Sequence, residues 1–86
     1  MKRIEWSEEK NKKLKNERKV AFEEIARKIK RKEILSVEDH QSKKYKHQKI
    51  YTINLYDYIY LVPFVEDKEK IFLKTIIPSR KATKNS

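Results

Sequence analysis

The sequence predicts one small α+β domain, with amino-terminal helices packed on one face of an antiparallel β-meander and a short helix or tail at the carboxyl end. Three observations predict it. Phe22, Ile25, Ala26 and Ile29 recur at helical spacing in the first half. Three runs in the second half, Ile50 to Leu55, Tyr58 to Val65 and Lys70 to Ile77, follow one another across short polar turns. With 86 residues, 37% of them hydrophobic and 42% charged, the chain has material for one modest core. Helices followed by strands make a two-layer α+β arrangement.

The elements follow in chain order. Arg3 to Trp6 alternates polar and apolar residues and fits a short strand. Ser7 is placed to cap a helix whose first turn holds Glu8 and Glu9, where the macrodipole favours acid. That helix reaches to about Glu17, is almost wholly polar, and brings Trp6, Leu14 and the stem of Lys10 to one side. A second helix carries the Phe22–Ile29 stripe, with Glu23 and Glu24 early and Arg27, Lys28, Lys30, Arg31 and Lys32 late, so its charge runs with the dipole. Glu33 to His40 reads as a short strand or an extended link, and "QSKKYKHQK" as a basic loop carrying Tyr45 and His47. The turns at Tyr56-Asp57 and "EDKE" contain no Gly, although Asp tolerates the left-handed region. Pro63 lacks a donor and requires a bulge or an unpaired edge inside the second meander strand. Pro78 is expected to stop the third strand. Ser79 is then placed to cap a terminal helix starting at Arg80, the alternative being a frayed basic tail; residues from about 83 to 86 are expected to be flexible.

Charge narrows the possible partners. Lys and Arg number 23 against 13 Asp and Glu, a net +10. Such an excess favours a polyanion, because neutralising phosphates releases counterions. It also fits plain solubility. The absence of Cys removes disulfides, thiolate zinc sites and thiol nucleophiles, and the absence of Gly removes a phosphate-cradling loop. Glu38, Asp39 and His40 are adjacent, but neighbours along a strand point to opposite faces, so neither a metal site nor a cofactor is expected. No apolar run approaches the roughly 20 residues of a membrane helix, and "MKRIEWSEEKNK" offers no signal-peptide core. The expected address is the cytoplasm.

One constellation suits metal-independent RNA cleavage. That reaction needs a base for the 2′-hydroxyl, cations for the phosphorane and an acid for the leaving oxygen. Lys49, Tyr51, Lys74, Arg80 and Lys81 lie on or just past strands that a meander gathers, and Tyr45 and His47 come from the loop before them. Arg80 is the expected phosphate clamp, because its planar fork stays charged. Two cations opening a terminal helix oppose the dipole, which makes sense if Arg80 and that helix end bind an anion together. Lys81 would support Arg80, Lys49 would stabilise charge, and His47 or Tyr51 would serve as acid or base. Lys74, Lys10 and Tyr45 are further candidates to touch RNA.

The chain resembles BrnT-type toxins of the RelE/ParE superfamily. Trp6, Lys10, Val20, Phe22 and Glu24 fall into register with that family's opening pattern, and Ile76, Ile77, Arg80, Lys81 and Ala82 with its closing one. The resemblance implies a RelE-like fold and the toxin part of a bacterial type II toxin–antitoxin system. It also implies ribonuclease action that arrests translation, with or without the ribosome, and a small DNA-binding antitoxin as partner. The chain departs from the family at several places. Arg18-Lys19 replaces a His-Gly pair, Ser7 an aspartate, and Glu66 and Thr75 two arginines expected to handle phosphate. Two other functions remain open: a non-enzymatic ParE-like inhibitor of a protein such as gyrase, and a basic nucleic-acid-binding module without toxicity.

Overall fold

The computed structural model describes residues 2–39 and 48–80. Strand β1 (Arg3–Trp6) leads into helices α1 (Glu8–Arg18) and α2 (Phe22–Lys30), then β2 (Ser36–Asp39), β3 (Gln48–Leu55), β4 (Tyr58–Glu66), β5 (Lys70–Leu73) and β6 (Ile77–Pro78). The α+β class is as expected. Tyr45, His47, Lys81 and the expected tail lie outside the described residues.

The Ser7 hydroxyl accepts the Lys10 amide at 3.3 Å and starts α1. The helix ends at Lys19, which takes the left-handed conformation at φ 56°. That conformation is unfavourable for any residue with a Cβ and natural for glycine. Lys19→Gly is therefore expected to stabilise the domain by about 0.5–1 kcal/mol, read as a rise in the urea midpoint with an unchanged slope.

Asn11, rather than Lys10, occupies the buried side of α1 beside Leu14; Lys10 is exposed. Its burial has a clear purpose. Ala21 offers α2 no side-chain cap, and the Phe22 amide donates instead to Asn11 Oδ1 at 2.9 Å. Asn11 Nδ2 in turn donates to Glu23 at 2.6 Å, and Lys15 reaches the other oxygen of that carboxylate at 3.1 Å. One buried amide thus caps α2 from a neighbouring helix. The stripe of α2 then seats Phe22, Ile25 and Ala26 in the core, with Ile29 partly buried against it.

The sheet order is β1-β5-β4-β3-β2, with β6 also on β4. β1 runs parallel to β5, and the other pairs are antiparallel. One face carries Tyr51, Ile53 and Leu55 of β3, Val62 and Phe64 of β4, and Leu73 of β5, all buried in the core with α1 and α2 residues. β3 starts at Gln48, two residues before the apolar run, because pairing with β4 extends to Gln48↔Val65.

The expected third meander strand is split. Phe64 pairs with Leu73 and Leu61 with Ile77, so β5–β6 holds one more residue than β4 between those pairs. This is a β-bulge over Lys74, Thr75 and Ile76. It turns Ile76 fully into the core and leaves Ile77 41% exposed. Lys74 N–H donates to the Pro63 carbonyl at 2.8 Å, so Pro63 presents its carbonyl, and with it the missing donor, to the bulged segment. The bulge required by Pro63 is present, on the neighbouring chain segment. Pro78 ends the strand as its last residue, where it pairs with Tyr60. Arg18 Nη1 braces the bulge by donating to the Ile76 carbonyl at 2.6 Å.

Candidate nucleic-acid interface

Partners in a sheet ladder point to the same face, which locates the predicted cations. Lys49 stands between Asp39 of β2 and Phe64 of β4, on the helix-covered face and exposed at its margin. Lys74 is on the other face, where its ammonium lies 5.6 Å from the Phe72 ring centre. Lys10 is exposed in the first turn of α1. Lys49 and Lys74 therefore lie on opposite faces of the sheet.

Arg80 follows Ser79, whose amide donates to the Ile59 carbonyl at 2.9 Å. Ile59 pairs with Asn54 of β3. From Asn54 back to Lys49 the strand runs about 16 Å at ~3.3 Å per residue. Arg80 and Lys49 therefore mark opposite ends of the sheet. Between those ends the helix-covered face is filled by Tyr51, Ile53 and Leu55, all buried. Arg80 itself is exposed, and any terminal helix beyond it lies outside the described residues.

Tyr51 is part of the core rather than an acid or base open to substrate. It is 6% exposed and stacks on Phe64 with centroids 4.0 Å apart and planes at 9°. Burial, with the Glu66 carboxylate adding to it, pushes its phenol above the ordinary value. The group stays protonated at neutral pH and lacks access to a phosphodiester.

Two features were not visible in the chain's pattern. Arg18, standing where the resembled family has His, is a structural brace on the bulge. Arg27 and Arg31 come to flank Tyr56 at the far end of α2, although the spacing of α2 alone does not distinguish a solvated basic face from one that meets nucleic acid. Only the β3–β4 turn, which brings Tyr56 there, distinguishes them.

Among the described residues no three His, Cys, Asp or Glu side chains cluster as metal ligands, and no helix is long and apolar enough to cross a membrane. No family model, no curated protein and no solved structure matches this chain.

Proposed function

We propose that this chain is the toxin of a type II toxin–antitoxin pair, with a RelE-like fold, and that it acts by binding RNA rather than by cutting it. The observation that carries the mode of action is the separation of Lys49 from Arg80 along the sheet. Cleavage needs a base, a clamp and an acid within reach of one phosphodiester. The described candidates are instead divided between two ends and two faces, and Tyr51 is packed away.

The toxin part rests on the resemblance and on what its residues do in the fold. Trp6 stacks on Phe22 at 5.9 Å, and Val20 and Ile76 are buried, so these matches serve packing. Lys19, aligned with the family's glycine, holds a left-handed backbone at φ 56°, the conformation for which glycine is favoured. Helices on one face of a meander fit the RelE-like arrangement. The net charge of +10 supports RNA in the cytoplasm as target and an antitoxin that covers the basic surface.

A ribonuclease centred on Arg80 is the rival, favoured by that residue's exposure. Induced expression separates the two. The expected result is growth arrest with transcripts intact, and no cutting of RNA by purified protein with or without ribosomes. Cleavage products that vanish in Arg80→Ala would restore the ribonuclease. Harmless expression would leave only a basic binding module, and DNA damage on induction would point to a gyrase-type target.

A further inference from the structure

The end of α2 and the β3–β4 turn enclose a cleft of about 250 Å³, lined by Arg27, Arg31, Lys28, Leu55 and Tyr56 together with Glu24 and Glu33. Its charges are not evenly matched. Glu33 is taken by Lys28 at 3.2 Å. Glu24 accepts the Tyr56 hydroxyl, a bond that holds the phenol above its ordinary value. Arg27 and Arg31 remain, exposed and one helical turn apart, about 6 Å along the axis.

The aromatic group is held in place by the backbone. Tyr56 and Asp57 are both left-handed, at φ 55° and 64°, as a type I′ turn requires. Asn54 Oδ1 accepts the Asp57 amide at 3.1 Å and fixes the turn. Tyr56 is nonetheless 76% exposed. The Tyr56 ring, held by its hydroxyl to Glu24, thus stands in solvent beside two guanidinium groups that make no ion pair among the described residues.

We propose that this cleft binds single-stranded RNA, with Arg27 and Arg31 forking onto phosphate oxygens and the Tyr56 ring stacking on an unpaired base. Guanidinium groups suit phosphate because they donate in pairs. An exposed aromatic ring beside them selects a nucleic acid over an acidic peptide, since every base offers a face to stack. Single strands are favoured over a duplex because only unpaired bases are free to leave their neighbours. Tyr56, which completes the cleft, lies outside every residue set that the sequence pattern nominated, and the proposal rests on the RNA-binding part of the function proposed above.

Fluorescence anisotropy with a short labelled single-stranded RNA of mixed sequence tests it on the full chain. Arg27→Ala with Arg31→Ala should weaken binding at least tenfold and lower the magnitude of the log–log salt slope by about 1.4, at ~0.7 per phosphate contact. Tyr56→Asn, which keeps a residue tolerant of the left-handed turn, should weaken binding about tenfold with the slope unchanged. Lys12→Ala with Lys13→Ala removes the same charge from α1 and should cost less than either. Thermal melts confirm that each variant folds; should the Arg pair to Ala not fold, Arg27→Lys with Arg31→Lys keeps the charge and still removes the paired donors.

Equal losses from the α1 and cleft variants would show diffuse attraction and overturn the site, as would full binding by Tyr56→Asn. Wild-type protein that binds no RNA would overturn the cleft together with the RNA part of the proposed function, while growth arrest would keep the toxin part. Growth arrest surviving in a cleft variant that no longer binds RNA would support the cleft and remove RNA from the toxic action.

Discussion

Phe22→Ala is expected to destabilise the domain by about 3–5 kcal/mol, the cost of truncating a fully enclosed aromatic side chain. Phe22 has no exposed surface and belongs to the cluster that joins α1, α2 and the sheet. It also stacks on Trp6 at 5.9 Å. Since domains of this size hold only about 5–15 kcal/mol in all, the variant should be largely unfolded or close to it at 37 °C. Phe22→Leu, which keeps most of the volume, should cost much less, about 1–2 kcal/mol. The chain's single tryptophan is Trp6, so its emission reads this site directly. Urea titrations followed by that emission should show a midpoint far below wild type for Ala and a modest decrease for Leu. An Ala variant as stable as wild type would mean that α2 does not sit on the sheet as described.

Asn11→Ala is expected to cost about 3 kcal/mol, which for a domain of this size lowers Tm by at least 10 °C. The loss has two parts. The Phe22 amide is left without its acceptor in a buried place, and Glu23 loses the donor that most strongly holds its carboxyl below the usual carboxylate range. A carboxylate with a lowered folded pKa contributes stability above its unfolded pKa, and that contribution is lost as pH falls through the folded value. The variant should therefore show a flatter acid limb, and NMR titration should find Glu23 nearer its ordinary value. Unchanged Glu23 titration would remove the Asn11 link from the account.

How much could be read from the residues depended on the kind of interaction. The stripe of α2 and the three apolar runs of the meander carry their own period, so helix and strands were recognisable. Pro63 announced a bulge or an unpaired edge, because a missing donor is a local fact, and the structure has the bulge. Its placement was not local: the extra residue sits in the 74–76 segment of the neighbouring strand, where no residue type marks it. Asn11 looked like any polar residue on a polar helix, since its role depends on a second helix arriving beside it. Lys49, Lys74 and Arg80 were grouped because a meander brings strands together. Adjacency along the sheet does not specify the face or the end, and both separate these residues. Tyr51 illustrates the same point, for the alternation that put it on a strand also put it under the helices.

The parallel pairing of β1 with β5 has a bearing on synthesis. Arg3 meets Lys70, and Trp6 meets Leu73, so β1 cannot dock until β5, more than sixty residues later, has left the ribosome. At about 5–20 residues per second that delay lasts several seconds. During it Ile4 and Trp6 are available to chaperones and to premature association, and the emerging polypeptide completes this edge only when β5 arrives.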